Sequence, residues 1–191
     1  MAPGLFMLIL FLFPFAGPGQ IKMHQKSRMH SVKIVQKIPI TIEQAWEFYS
    51  NPANLLAITP GNMRFKVISK NYGGALYVGQ IFEYKVSPIL GIPLYWMSEI
   101  THAVAPAYFV DEQKKGPYKF WQHQHHFKTI EGGVEMTDII HYKNPLWLLG
   151  DLANRLFVKK KLRQIFEYRF NKVEELFGQW PGGQEVNIII E

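Results

Sequence analysis

Between Met63 and Lys143 apolar and polar residues alternate with a period of two, and beyond Asn144-Pro145 the spacing turns helical through Phe177. This change of period constrains the fold more than any other feature of the chain. Period-two alternation puts every second side chain on one side, so each such segment reads as a strand with one apolar face. The separators Asn71-Tyr72-Gly73-Gly74, Pro88 with Gly91, Ala105-Pro106, Gly116-Pro117 and Glu131-Gly132-Gly133 carry turn residues. Connections that short join antiparallel neighbours. An earlier alternating segment, Val32, Ile34 and Ile38 with Lys33 and Lys37 between them, ends at Pro39. The pattern predicts a meander of about six strands plus this first one.

Two short helices are predicted between the first strand and the meander. Thr41 followed by Gln44 is a capping-box pair, and Ile42, Ala45, Trp46 and Tyr49 share one side of the turn that follows. Asn51-Pro52 then suits an N-cap and first helical position for a second helix over 53–58, ended by Pro60-Gly61-Asn62. The long C-terminal helix ends at Gly178. Its apolar stripe is broken: Leu149, Leu152, Ala153 and Leu156 define one face, and Leu162, Ile165, Phe166, Phe170, Val173 and Phe177 another. The displacement falls at Lys159-Lys160-Lys161 and predicts a bend near Val158 to Lys161. An antiparallel sheet with one apolar face needs cover, and only this helix is long enough to give it. The expectation is an α+β fold, about seven antiparallel strands in the order β-α-α-β6-α, with the sheet curved against the helix and a space between them.

The 191 residues suffice for one domain. With 48% hydrophobic and 19% charged residues the composition is globular. Aromatics at 15% exceed what a minimal core needs, which fits bulky packing or a ring-lined cavity. Having no cysteine, the chain has no disulfide, thiolate metal site or cysteine nucleophile. The net charge of +6 is spread widely, and only Lys159-Lys160-Lys161 with Arg155 and Arg163 forms a dense group. That group reads as a solvated helix face with scope for weak membrane-surface contact, and no nucleic-acid partner is expected.

Residues 1–30 form an N-terminal extension apart from the domain at 31–178. Leu5 to Ala16 is almost continuously apolar, but as a helix it would span only about 18 Å, against a bilayer core of about 30 Å. No Lys or Arg precedes it, and Ala16-Gly17-Pro18-Gly19 lacks a clean cleavage pattern. It reads as a misassigned start (Met29 lies almost at the first strand), an export signal, or a surface anchor. The protein is expected to be cytoplasmic, with export through this segment as the alternative. Residues 179–191, with Pro181-Gly182-Gly183, are expected to be a flexible tail, with weak pairing of Val186 to Ile190 as the alternative.

Several residues together give a resemblance over about Ser31 to Phe177. They are Ala45-Trp46-Glu47-Phe48-Tyr49-Ser50-Asn51-Pro52, Leu55, Thr59-Pro60, Phe109-Val110-Asp111-Glu112-Gln113, Gly116-Pro117-Tyr118, Trp121-x-His123-x-His125-x-Phe127 and Gly133 through Asp138. As a set they resemble the START-like (SRPBCC) superfamily, with its helix-grip fold, and most nearly its bacterial polyketide cyclase/dehydrase-like or coenzyme-Q-binding-like branch. The resemblance implies a sheet wrapped around the long helix and a hydrophobic ligand held between them. That superfamily includes lipid-transfer proteins, quinone chaperones and a minority of cyclases, so it does not decide between binder and enzyme.

His123 and His125, two apart in a strand, face the same way as Trp121 and Phe127, while His126 faces the other. Three readings stay open. They are structural histidines bonded to Asp111, Gln113 or Glu99; a polar patch that orients a ligand; or two ligands of a metal site that His102, His141 or Asp138 would complete. No ligand-spaced metal motif is present, and neither a metal nor a cofactor is assigned. Asp111 shares a face with Phe109 and with His123 or His125 could form an acid–base pair. Asp138, on an otherwise apolar face with Met136 and Ile140, reads as paired. Nucleophile elbows, phosphate loops and dinucleotide fingerprints are absent from the sequence. Trp96, Tyr95, Met97 and Trp147 add to the ring stock, although Tyr95 and Met97 must face away from Trp96. The primary expectation is a carrier or binder of a small hydrophobic molecule lined by Phe82, Tyr84, Phe109, Asp111, Trp121, His123, His125, Leu152 and Leu156. The alternative is a cyclase or dehydratase using His123 or His125 with Asp111.

Overall fold

The computed structural model describes residues 29–69, 74–87, 91–144 and 157–191. Chain order runs β1 (His30–Ile38), α1 (Ile42–Tyr49), α2 (Pro52–Ala57), a 3-10 turn (Gly61–Met63), β2 (Lys66–Val67), β3 (Ile81–Val86), β4 (Leu94–Val104), β5 (Tyr108–Lys115), β6 (Phe120–Ile130), β7 (Gly133–Lys143), α3 (Lys159–Phe177) and β8 (Asn187–Ile190). One sheet of eight strands results, in the order β2-β3-β4-β5-β6-β7-β1-β8. Every ladder is antiparallel. The β4–β5 ladder slips register at Met97/Ser98 and again at Ile100/His102, and such bulges bend a sheet.

Local chemistry explains the elements. Thr41 Oγ1 accepts from the Gln44 amide while Gln44 Oε1 accepts from the Thr41 amide, closing the capping box of α1. Asn51 caps α2 with Pro52 inside its first turn. In β6 and β7 alternate residues are buried along almost the whole strand, so one face of the sheet forms the core. Leu162, Phe166, Phe170 and Val173 of α3 are buried against that face. Gln36 of β1 donates a buried hydrogen bond to the Phe170 carbonyl at 3.0 Å, tying helix to sheet. Gly133 lets β7 start against β1: a Cβ there would stand 2.2 Å from the Ile38 carbonyl oxygen.

The structure departs from expectation in two places. Met63 belongs to the 3-10 turn, and Arg64 takes a left-handed backbone (φ 46°), so β2 shrinks to two residues. The tail does not stay loose. Residues 187–190 pair with Val32 to Val35, because β1 has a free edge and Ile188 can be buried there to 6% exposure. Gln184 fastens the approach by accepting from the Lys37 amide and donating to its carbonyl. Leu152, Leu156, Trp147, the apolar run of the N-terminal extension and the upstream arm of the bend before Phe157 lie outside the described residues. Among the described residues no helix is long and apolar enough to cross a membrane.

Candidate functional site

The space under α3 is a cavity of about 220 Å3. It exceeds the roughly 150 Å3 engineered cavity that admits benzene in another protein. Its walls come from α1 and α2, β3 to β6 and α3. Phe82, Tyr84, Phe109, Asp111, Trp121, His123 and His125 all line it, so the described residues of the expected pocket converge. In β3 and β6 these residues lie on the buried face by alternation, whereas in β5 Phe109 is buried and Asp111 half-buried. Trp121 packs edge-on to Trp96, which half-faces the same space.

One end of this cavity is polar. Asp111 is directly opposite His123 in the β5–β6 ladder, and His125 is directly opposite Asp138 in the β6–β7 ladder. The side chains cross these pairings. His123 Nε2 lies 2.9 Å from Asp138 Oδ1 in a buried hydrogen bond. His125 Nδ1 lies 2.9 Å from the same oxygen, at an angle that leaves it without a hydrogen bond. On the cavity side Asp111 Oδ1 stands 3.4 Å from His125 Nε2 and 3.8 Å from His123 Nδ1. The two imidazoles are 3.8 Å apart between centroids, and Phe109 stacks on His125 at 4.2 Å. Trp96 Nε1 donates to Ser98 Oγ at 3.0 Å, and Ser98 Oγ donates to Asp111 Oδ2 at 3.2 Å.

Burial and charge compete at every member. Burial opposes ionisation of Asp138, but the imidazoles of His123 and His125 outweigh it and hold the carboxyl far below the usual range. Asp111 is lowered too, burial being overcome by His125, His123 and the Ser98 hydroxyl. For His125 burial works against the proton, yet Asp111 and Asp138 raise it on balance. His123 is lowered by burial and by the charge of His125, which its carboxylate neighbours do not offset. Burial, then the nearby carboxylates, push the hydroxyls of Tyr84 and Tyr49 well up, so both stay neutral donors. Gln113 and Glu99, expected as possible histidine partners, are engaged elsewhere. Gln113 bonds the Tyr118 backbone in both directions, and Glu99 pairs with Lys114 at 2.7 Å.

Residues missed from sequence complete the site. Arg169 lines the cavity from α3, its guanidinium 4.9 Å from the Phe166 ring and its Nε buried without a hydrogen-bond partner. It occupies the apolar stripe of α3, three residues after Phe166 and four after Ile165, and an arginine in that register was the available signal. Lys161, expected on a solvated face, is half-buried and lines the cavity as well.

No family model matches the sequence, and no curated protein matches it significantly. Solved structures do match in three dimensions. A protein from Chromobacterium violaceum has a TM-score of 0.60 at 10% identity, over 78% of this chain and 98% of that one. One from Mycobacterium smegmatis has a TM-score of 0.57 at 17% identity, over 76% of this chain and 89% of that one. Ginseng major latex-like protein 151 from Panax ginseng has a TM-score of 0.55 at 15% identity, over 78% and 97%. Identities this low speak to architecture alone. Taken with the strand order and the covering helix, they establish that this chain has the helix-grip fold.

Proposed function

We propose that the protein binds or carries a small hydrophobic molecule, of lipid, quinone or polyketide-like character, between α3 and the sheet. The observation that carries this reading is the cavity of about 220 Å3 under α3, walled by rings and polar at one end. Native interiors seldom leave such a volume empty without use, because the missing contacts cost stability. A guest burying about 250 Å2 of apolar surface gains about 6 kcal/mol from desolvation, before ordering costs. The Asp111, His123 and His125 end would take the guest's one polar group. The likeness of motif residues such as Trp121-x-His123-x-His125 to the cyclase-like and quinone-binding-like branch supports the same class of guest.

Native mass spectrometry of the freshly purified full chain, with titration of 1-anilinonaphthalene-8-sulfonate followed by tryptophan quenching, tests the proposal. Trp96 and Trp121 border the cavity and report directly. The expected result is one saturable site or a co-purifying apolar adduct. Absence of both rejects the reading.

A second reading, a cyclase or dehydratase, is favoured by one observation: two imidazoles and a carboxylate open onto the same cavity. For His125 burial disfavours the proton, but Asp111 and Asp138 raise its pKa on balance, and it would serve as the acid. That reading requires turnover of a polyketide-like substrate, abolished in His125→Gln while probe binding persists. Unchanged turnover in that variant rejects it.

A further inference from the structure

The carboxylates of Asp111 and Asp138 clasp the two imidazoles from opposite sides, but the two sides are not equivalent. On the Asp138 side both nitrogens are 2.9 Å from one oxygen. An ionised carboxylate only accepts, so the proton of His123 is on Nε2 and its Nδ1 offers a lone pair to the other side. There, Asp111 Oδ1 is separated from the ring nitrogens by 3.4 and 3.8 Å, too far for hydrogen bonds. One oxygen and two nitrogens thus converge within 4.8 Å of one another. Donor atoms bound to one zinc ion at about 2.0–2.1 Å stand about 3.4 Å apart at the tetrahedral angle. The gaps from Asp111 Oδ1, 3.4 and 3.8 Å, are at or slightly above that separation.

Two further observations point the same way. Nδ1 of His125 is buried 2.9 Å from Asp138 Oδ1 without an aligned hydrogen bond, which turns its Nε2 toward Asp111 Oδ1. The surrounding bonds also leave the right atoms free. Trp96 and Ser98 orient Asp111 through Oδ2 and spare Oδ1, while Asp138 backs the imidazoles as carboxylates commonly do behind metal-bound histidines. Charge is consistent as well. Imidazoles that bind a metal do so in the neutral form, so the two carboxylates would then carry −2, and Arg169 forms no ion pair with either among the described residues. A divalent ion would neutralise the cluster.

We propose that Asp111, His123 and His125 form a site for a divalent first-row transition-metal ion, with Asp138 positioning the imidazoles and at least one coordination position open to the cavity. Two imidazoles and one carboxylate suit zinc, iron(II), cobalt(II) or nickel(II) rather than calcium or magnesium. With three protein ligands, the open position faces the space where the polar group of a guest would reach it. The site does not depend on the hydrophobic guest, and its test needs none.

The experiment uses the full chain, stripped with a chelator and titrated with zinc chloride against a chromophoric competitor, then with cobalt chloride followed by absorption. One equivalent is expected to bind with micromolar or tighter affinity. Asp111→Asn is expected to weaken it at least 10-fold and Asp138→Asn roughly 10- to 100-fold. His102→Ala, on the exposed edge of β4, is the control and should change nothing. Circular dichroism shows whether each variant folds. Histidine ring NMR of the wild-type chain needs no variant: cobalt(II) should shift or broaden His123 and His125 first. No stoichiometric binding, equal binding in a folded Asp111→Asn variant, or NMR changes confined to other histidines would each overturn the proposal.

Discussion

Asp138 faces His125 across the β6–β7 ladder, yet its aligned hydrogen bond comes from His123, two residues along the strand and 2.9 Å away. His123 in turn faces Asp111 across β5–β6, but Asp111 lies nearer to His125. Each imidazole therefore touches both carboxylates, and neither carboxylate can be removed without affecting both rings. The strengths should still differ, because Asp138 is 5% exposed and makes the short contacts, whereas the Asp111 side chain keeps 19% exposure and the long ones.

Asp138→Asn is accordingly expected to cost about 3 kcal/mol in the metal-free protein, the usual result of breaking a buried charged pair. Asp111→Asn should cost about 1 kcal/mol. Urea unfolding of both variants checks the ranking, and a larger loss for Asp111→Asn would contradict the assignment of Asp138 as the anchor.

Stability against pH should follow from the directions of the shifts. Asp138 and Asp111 sit below their ordinary value of 3.8, so their contribution is complete above about pH 4 and disappears as pH falls toward their folded values. His125 is raised from 6.5, so its contribution is present below that pH and lost as pH rises through its folded value. His123 is lowered and works in the opposite sense, failing as pH falls below 6.5. With chelator present, chemical denaturation should show little slope near neutrality and a steep loss below pH 4. In Asp138→Asn that acid loss should be shallower.

Ile165→Trp should fill the cavity from α3, where Ile165 is half-buried and borders it. Binding of 1-anilinonaphthalene-8-sulfonate is expected to weaken at least 10-fold while the melting temperature moves by only a few degrees. Ile165 supplies none of the proposed ligand atoms, so zinc affinity should be unchanged, and the same variant separates occupancy of the apolar space from the metal site.

Gly133→Ala places a methyl group against backbone, 2.2 Å from the Ile38 oxygen and 3.0 Å from Pro39 Cα. Backbone cannot swing aside as a side chain can, and a loss of about 2–3 kcal/mol is expected. At Gly61 nothing lies within 4 Å, so the same substitution should be close to neutral in a thermal melt.

Ending the chain after Gly183 removes β8, uncovers the outer edge of β1 and leaves the side of Val32 and Ile34 that Ile188 covers exposed. A fall in melting temperature of about 5 °C or more and concentration-dependent association are expected. Light scattering and calorimetry read both.

Much of this arrangement was legible from local chemistry. Thr41 with Gln44 and Asn51 with Pro52 marked the starts of α1 and α2, and the alternation of Trp121, His123, His125 and Phe127 assigned their common face. That was enough to bring seven dispersed residues to one cavity. What alternation does not contain is the partner of each polar group. Asp138 and Asp111 both lay within reach of both histidines, and the diagonal choice depends on twist and on rotamers set by Phe109 and Ser98. Arg169 was hidden because its long stem passes for a solvated side chain on a charged helix. Pairing of Val186 to Ile190 was open from sequence, but its partner was not legible, because β1 lies more than 150 residues earlier and the run of β8 is short.

That last pairing has a consequence for biosynthesis. Of the described strands β1 is synthesised first, but its two neighbours, β7 and β8, are synthesised last. At roughly 5–20 residues per second, β1 waits several seconds with neither side satisfied. Closure of the whole sheet is thus a late event that joins distant parts of the polypeptide, and Val32 and Ile34 lack their final cover until then.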